Sequence, residues 1–278
     1  MNKDGRIVKQ ISNDYWVLAD GVSIVCKARG KFRNLDITPL VGDIVTIDYD
    51  NQYILNIHER KNELIRPRIS NVDTALIVTS VQIPEFSTNL LDKLLTIIEY
   101  NSVEPIICIT KYDLIDETKK QELTPYFDYY KSIGYELYFN IDENLKDVFK
   151  DKITVFAGQS GAGKSTLLNM LDKTLNIKTN EVSKALGRGK HTTRYTELIS
   201  TCDGLIADTP GFSAVTFEGM TDSDIRDNFI EFNEYRHNCE YKDCMHINEP
   251  NCEVKRMVDN DTILQSRYDN YLKFIGKR

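Results

Sequence analysis

The chain contains little of several kinds of residue and segment, and each shortage excludes a class of protein. Only 7 of its 278 residues are proline and 41% are hydrophobic, a composition typical of folded proteins and unlike that of disordered or collagen-like chains. No apolar run approaches the roughly 18 residues needed to cross a bilayer. The first ten residues, MNKDGRIVKQ, lack the apolar core of a secretion signal. We therefore expect a cytoplasmic globular protein without a membrane partner.

The net charge limits how the protein can bind nucleic acid. With 42 acidic and 35 basic residues the chain carries −7, which argues against binding by bulk electrostatics. Residues 1–68, however, contain 11 basic and 9 acidic residues, so positive charge is concentrated at the N-terminus. The densest part is a loop that holds Lys27, Arg29, Lys31 and Arg33. We predict that this loop contacts RNA, with a solvated charge run as the alternative.

Hydrophobic patterning divides the chain into three predicted domains, at 1–68, 69–218 and 219–278. In the first, short apolar runs separated by turn residues are typical of a small antiparallel barrel. In the second, apolar strands alternate with helices, which predicts an α/β sheet with mostly parallel strands. The predicted strands are 74–81, 106–110, 136–139, 153–157, 195–200 and 205–208, and the predicted helices are 90–100 and 164–171. The third domain shows helical spacing, at 222–235 and 263–274.

A glycine-rich segment connects the strand at 153–157 to the helix at 164–171. Its sequence, GQSGAGKS, matches the GxxxxGK[ST] pattern of a phosphate-binding loop in the required strand-loop-helix setting. Glycines let the backbone wrap closely around phosphates, amides at the helix N-terminus point at the negative charge, and Lys164 reaches the outer phosphates. The predicted nucleotide-contacting residues of this segment are Gly158, Gln159, Ser160, Gly161, Ala162, Gly163, Lys164, Ser165 and Thr166.

A second motif selects the base. The tetrapeptide Thr110-Lys111-Tyr112-Asp113 stands at the end of an apolar strand and resembles the [NT]KxD element of GTPases. The Asp113 carboxylate can accept from both the ring N–H and the exocyclic amine of guanine, whereas adenine offers no such pair of donors. Because an unpaired buried carboxylate is costly, such a site can discriminate by roughly 10⁴-fold. Beside a phosphate loop, this element predicts GTP and GDP as ligands.

Two further segments complete the predicted nucleotide site. In the tetrapeptide DTPG at 208–211, the Asp208 carboxylate can hold Mg²⁺ through water and the Gly211 N–H can sense the γ-phosphate. The basic segment GRGKHTTR at 187–194 precedes a strand, and one of its two threonines can complete the magnesium shell. A plain turn and a solvated loop are the alternatives for the two segments. The predicted magnesium ligands are Ser165, Asp208 and either Thr193 or Thr192.

Three of the six cysteines and one of the four histidines crowd into 14 residues, as Cys239-x₄-Cys244-x-His246-x₅-Cys252. In a cytoplasmic chain such a group indicates a metal site rather than disulfides. Three thiolates and one imidazole form a complete tetrahedral ligand set for zinc and leave no position for a substrate. We therefore predict one structural Zn²⁺, with unrelated reduced thiols as the alternative.

The order of these motifs carries a family resemblance. In ordinary small GTPases the phosphate loop comes first and the guanine motif last, whereas here TKYD precedes GQSGAGKS, and GRGKHTTR and DTPGF follow. This circular permutation, between a small barrel and a Cys/His cluster, resembles the ribosome small-subunit-dependent GTPase A (RsgA) family over essentially the whole chain. The resemblance implies an N-terminal OB-fold β-barrel, a central circularly permuted α/β P-loop GTPase domain and a C-terminal zinc-binding α-helical domain. It also implies GTP hydrolysis that is stimulated by the small ribosomal subunit and its rRNA during late subunit maturation. We expect the protein itself to be a monomer.

Two residues beside the motifs bear on catalysis. Phe212 follows DTPG, where many GTPases have a water-orienting glutamine, so we expect slow intrinsic hydrolysis. His191 resembles the residue proposed in the family to act when a partner orders the loop, which makes His191 and Lys164 the predicted catalytic residues; RNA contact is the alternative role of His191. The competing functions are an ATP-driven kinase or ATPase, which TKYD disfavours, and a GTP-stabilised RNA scaffold, which the intact Lys164, Ser165 and Asp208 disfavour.

Overall fold

The computed structural model describes residues 1–30, 32, 37–65, 67–173, 175, 196–208 and 216–276. The chain folds into two compact units, each assembled from segments that are separate in sequence. The first unit contains Met1–Leu76, Glu143–Ala157 and Gly163–Ser213, and the second contains Ile77–Asp142, Gly158–Ala162 and Ala214–Arg278. Within the described residues, no helix has the length and apolar character to cross a membrane.

The first unit begins with a closed five-stranded barrel. Its strands are β1 (Asn2–Ile11), β2 (Asp14–Ala19), β3 (Val22–Ala28), β4 (Ile44–Asp48) and β5 (Tyr53–Ile57). They pair in the order β1-β2-β3-β5-β4, and β4 pairs back onto β1. Side chains alternate across a strand, and the inward apolar ones, such as Ile7, Val17 and Ile54, are fully buried. This is the five-stranded OB-fold barrel, as predicted.

A buried ion pair holds the next segment to the barrel. Asp43 is fully buried, and its carboxylate accepts from Arg60 at 2.7 and 2.8 Å and from the Ser70 hydroxyl at 2.6 Å. Arg60 lies just before a short antiparallel hairpin of β6 (Glu63–Leu64) and β7 (Ile69–Ser70). Because a buried carboxylate needs its partners, these bonds fix the hairpin against the barrel.

The second unit contains the first part of the α/β fold. Its elements are β8 (Thr74–Ser80) from Ile77 onward, α1 (Thr88–Tyr100), β9 (Glu104–Thr110), α2 (Glu117–Ser132) and β10 (Glu136–Phe139). The strands lie in the order β10-β9-β8, with β9 and β10 parallel. The sequence patterns predicted every one of these elements except α2. That helix contains Pro125, and proline in a helix interior removes a backbone donor, which argues against a helix.

The first unit resumes with β11 (Ile153–Ala157), α3 (Lys164–Leu171), β12 (Glu197–Thr201) and β13 (Gly204–Asp208), after a 3-10 helix at Glu143–Phe149. Strands β11 and β13 are parallel, whereas β12 is antiparallel to β13. The antiparallel pair departs from the parallel pattern because Cys202 and Asp203 form a two-residue turn with φ of 49° and 56°, the left-handed conformation of a type I′ hairpin. Strand β12 also pairs antiparallel with β1, so the barrel continues this sheet.

The C-terminal helices belong to the second unit and pack against α1. They are α4 (Asp222–Asp227), α5 (Phe232–Tyr235), α6 (Glu253–Asp259) and α7 (Gln265–Gly276). Their aromatic core, which includes Phe229 and Tyr271, takes in Ile97 of α1. The fully buried Arg267 of α7 binds Asp92 of α1 at 2.8 Å and Glu231 at 2.7 Å. An unpaired charge in such a core is strongly destabilising, so this triad ties α7 to α1.

Candidate nucleotide and metal sites

The phosphate-loop segment has the backbone that its sequence predicts. Strand β11 ends at Ala157, and α3 begins at Lys164 with Gly163 as its N-cap residue. Gly163 has φ of 97°, and Gly158 has φ of 123°, conformations that favour glycine. A Cβ on Gly158 would also lie 2.1 Å from the Val78 carbonyl oxygen. The glycine at 158 is therefore required by both its conformation and its neighbour.

Lys164 opens α3 in a poorly hydrated position. Burial lowers the pKa of its ammonium from 10.5 to about 8, because low-dielectric surroundings disfavour the charged form. The neighbouring Ser165 is 5% exposed. A desolvated ammonium at a helix N-terminus is suited to an anionic ligand, since both the charge and the backbone amides attract phosphate.

Hydrogen bonds join the TKYD motif to the phosphate loop inside the second unit. The Thr110 hydroxyl lies 2.5 Å from the Ala162 carbonyl oxygen and 3.2 Å from that of Thr79. The Lys111 ammonium donates to the Gly161 carbonyl at 3.0 Å and to the Ile83 carbonyl. Two motifs 50 residues apart in sequence thus form one structural element, which is what a site for base and phosphates requires.

Asn140 is a residue of this site that the sequence analysis did not assign. Its Nδ2 donates to Asp113 Oδ1 at 3.0 Å, and its Oδ1 accepts from the Tyr112 N–H at 3.4 Å. The preceding Phe139 places its ring 4.2 Å from that of Tyr112, measured between centroids. Asn140 follows β10 directly, beside the end of the parallel neighbour β9. Its amide therefore orients the carboxylate predicted to read the base.

The predicted switch residues are only partly described. His191, Thr192, Thr193, Gly211 and Phe212 lie outside the described residues, as do Lys31 and Arg33 of the basic loop. Asp208 is the last residue of β13 and the register partner of Glu197 on β12. The backbone thus places this predicted magnesium ligand at the end of a strand, immediately before the rest of DTPG.

The structure brings the four predicted zinc ligands together in the second unit. Their ligand atoms all lie within 4.8 Å of one another. His246 Nδ1 is 3.3 Å from Cys252 Sγ and 3.7 Å from Cys239 Sγ, and the two sulfurs are 4.0 Å apart. Tetrahedral zinc with bonds of about 2.3 Å to sulfur separates two thiolates by about 3.8 Å. The donor set and its spacing therefore fit zinc.

The surroundings of the cluster favour metal binding by His246. The residue is fully buried, and burial lowers the pKa of its imidazole to about 4, so the ring is neutral and can offer a lone pair. The backbone around it is held by two tyrosines of α7: Tyr268 donates to the His246 carbonyl at 2.6 Å and Tyr271 to that of Met245 at 2.5 Å. The cluster is thereby attached to the helix that carries Arg267.

Relatives and solved structures resemble this chain over nearly its whole length. The Small ribosomal subunit biogenesis GTPase RsgA of Enterococcus faecalis is 48% identical over 278 residues, which cover 98% of this chain and 94% of that protein. A second relative, RsgA 2 of Oceanobacillus iheyensis, is 47% identical over 281 residues, covering 98% and 96%. The crystal structure of YloQ, a circularly permuted GTPase, has a TM-score of 0.85 at 40% identity, covering all of this chain and 95% of YloQ. YjeQ from Thermotoga maritima has a TM-score of 0.86 at 33% identity, with both chains fully covered.

A barrel followed by a P-loop fold in which TKYD precedes the phosphate loop defines a circularly permuted GTPase. The family models agree with that class: the RsgA N-terminal domain matches residues 4–54 and the RsgA GTPase matches residues 57–218. The chain belongs to the RsgA GTPase family. It is therefore a GTP hydrolase with a guanine nucleotide as its ligand.

Proposed function

We propose that this GTPase acts in the biogenesis of the small ribosomal subunit and that the subunit stimulates its GTP hydrolysis. The relatives bear that role in their names. The observation that supports the nucleotide part of the proposal is the contact of Thr110 and Lys111 with the phosphate loop, because it holds the motif predicted to select guanine beside the loop predicted to bind phosphates. Its expected location is the cytoplasm, where the subunit is assembled.

The nucleotide site uses residues from each motif. Residues 158–166 surround the phosphates, Lys164 contacts the outer ones, and Asp113, oriented by Asn140, accepts from guanine. Ser165, Asp208 and one of Thr192 and Thr193 are the proposed magnesium ligands, and the ion would offset charge that develops on the transferred phosphoryl group. His191 is the proposed catalytic residue, with Lys164, once the partner is bound.

The zinc site has a structural role in this proposal. Cys239, Cys244, His246 and Cys252 together would hold one Zn²⁺ with no open position. Three of the four ligands are buried and Cys239 is half-buried, and Cys244 and Cys252 belong to the helical core that also includes Ile97 of α1. We propose 1–68, 69–218 and 219–278 as the functional divisions, the last stabilised by the metal.

The barrel supplies the proposed rRNA contact. A groove of about 900 Å³ on its surface is lined by Tyr15, Lys27, Arg29 and Phe32, among others. Tyr15 and Phe32 are buried, so the exposed cationic side chains of Lys27 and Arg29 are the groups that suit the phosphates of RNA. Binding through this groove should weaken steeply as salt rises.

Competition binding tests the nucleotide part of the proposal, and cosedimentation tests the partner. Fluorescent GDP should be displaced by GDP and not by ADP at comparable concentration, and Asp113→Ala should abolish the preference. The protein with a GTP analogue should sediment with purified small subunits and not with large ones. Equal displacement by ADP would contradict the guanine site, and absence of cosedimentation would contradict the partner.

A further inference from the structure

An ion pair in the first unit connects the barrel to the strand pair that ends at Asp208. Lys9 lies on β1 and Glu197 is the first residue of β12. The Lys9 ammonium is 2.9 Å from each of the two Glu197 carboxylate oxygens. The two residues are also register partners, where β1 and β12 meet antiparallel. Backbone and side chains thus join the two strands at the same position.

Glu197 stands between the barrel and the predicted magnesium ligand. On its other side it is the register partner of Asp208 on β13. Lys9, Glu197 and Asp208 therefore occupy neighbouring positions on three adjacent strands. In the chain, β12 also begins three residues after the GRGKHTTR segment at 187–194. A shift of Glu197 would displace the backbone that carries both predicted switch segments.

On the barrel side, Lys9 is adjacent to the proposed RNA groove. It is the register partner of Trp16 on β2, and its ammonium lies 5.9 Å from the centre of the Trp16 ring. The next residues on the two strands, Gln10 and Tyr15, are paired in register, bond to each other at 3.3 Å and line the groove. A ligand in the groove would touch the immediate neighbours of Lys9.

The backbone supports a positioning role for this lysine. Strand β1 carries an irregularity between Ile7 and Lys9 in its pairing with β2, and bulges of this kind redirect side chains and increase local twist. Lys9 and Glu197 are 30% and 37% exposed. An ion pair of this exposure adds little to stability, typically changing the folding equilibrium by about fivefold at most. It can nevertheless fix the position of β12 relative to β1 of the barrel.

We propose that Lys9 and Glu197 are positioning residues that transmit engagement of the barrel to the nucleotide site and so set the degree of subunit stimulation. This inference rests on the proposed function, because it takes the small subunit as the ligand of the barrel. Neither side chain is part of the proposed nucleotide, magnesium or zinc sites. Both act through β12, whose neighbour β13 ends at Asp208.

Charge reversal and charge exchange test the proposal. The variants are Lys9→Glu, Glu197→Lys and the double exchange, with milder Lys9→Gln and Glu197→Gln in case a reversal impairs folding. Lys3→Glu is the matched control, since Lys3 lies on the same strand and pairs with Asp20 within the barrel at 2.8 Å. The measurements are GDP affinity, GTP turnover without subunits, and GTP turnover at saturating small subunits.

We expect each reversal to lower the stimulated turnover about threefold to tenfold, the milder variants about twofold, and Lys3→Glu not at all. GDP affinity and unstimulated turnover should stay at the wild-type level in every variant. The double exchange should return stimulated turnover to within about twofold of wild type, because it restores the attraction. Rescue by the double exchange distinguishes a positioning role of Lys9 from direct contact with RNA. In the double exchange position 9 is acidic, so it cannot bind RNA phosphates, whereas the ion pair with position 197 is restored.

Two results would overturn the inference while leaving the proposed function intact. One is stimulated turnover that the single variants do not change; the other is a double exchange no better than Lys9→Glu alone. If wild-type turnover itself does not respond to small subunits, the proposed function fails, and the inference fails with it. The wild-type measurement therefore distinguishes the two failures.

Discussion

Replacing Asn140 by aspartate tests whether the Asn140 amide orients the Asp113 carboxylate in the base site. In Asn140→Asp a carboxylate oxygen takes the place of the amide nitrogen that stands 3.0 Å from Asp113 Oδ1. Two unit charges at that distance repel by about 1.4 kcal/mol in bulk water, and by more where water is partly excluded. Since about 1.4 kcal/mol is tenfold in an equilibrium constant, GDP affinity at pH 7.5 should fall at least about tenfold.

A control variant identifies the cause of that loss. Asn140→Ala removes the hydrogen bond without adding charge, and should cost about 0.5–1.5 kcal/mol, or about twofold to tenfold. Titration with fluorescent GDP measures both. Wild-type affinity in Asn140→Asp at pH 7.5 would refute the assigned role of Asn140.

Three further predictions concern charge, core and metal. Burial lowers the pKa of Lys164 to about 8, and only the charged ammonium attracts phosphate. GDP affinity should therefore stay constant below pH 8 and decline between pH 8 and 9. Calorimetric GDP titrations that give the same affinity across this range would contradict the prediction. Arg267→Met leaves Asp92 and Glu231 buried without a counter-charge and should lower the free energy of unfolding by about 3–5 kcal/mol at pH 7.5. The loss should be smaller at pH 5, because burial raises the pKa of Asp92 and protonation removes its unpaired charge. Urea denaturation at both pH values measures the difference. Cys244→Ser should reduce the zinc content below one equivalent and make residues near 236–255 sensitive to protease. GDP affinity should not change. A full equivalent of zinc in the variant would exclude Cys244 as a zinc ligand.

Local sequence signals predicted those parts of the structure that depend on neighbouring residues. Two of these signals each span at most 14 residues: the glycines before Lys164, and the group of Cys239, Cys244, His246 and Cys252. Their short separation along the chain is enough to bring the groups together. The barrel strands were recognisable for the same reason, because alternation is a property of a single strand. Their pairing order, and the junction of β1 with β12, depend on long-range topology.

The contacts that the sequence did not reveal join distant residues. Asn140 meets Asp113 because β9 and β10 end side by side, and nothing in the tetrapeptide TKYD indicates that neighbour. Lys9 and Glu197 are separated by 188 positions. The sequence pattern does not predict α2. Its Pro125 disfavours a helix locally, but packing of the buried Phe127 and Tyr130 outweighs that preference.

Steady-state GTP turnover with and without purified subunits shows whether the small ribosomal subunit stimulates this GTPase. We predict slow turnover of the protein alone, a large increase on addition of small subunits, no increase with large subunits, and loss of the increase in Lys164→Ala. Turnover that is unchanged by small subunits, or raised equally by either subunit, would contradict specific stimulation by the small subunit.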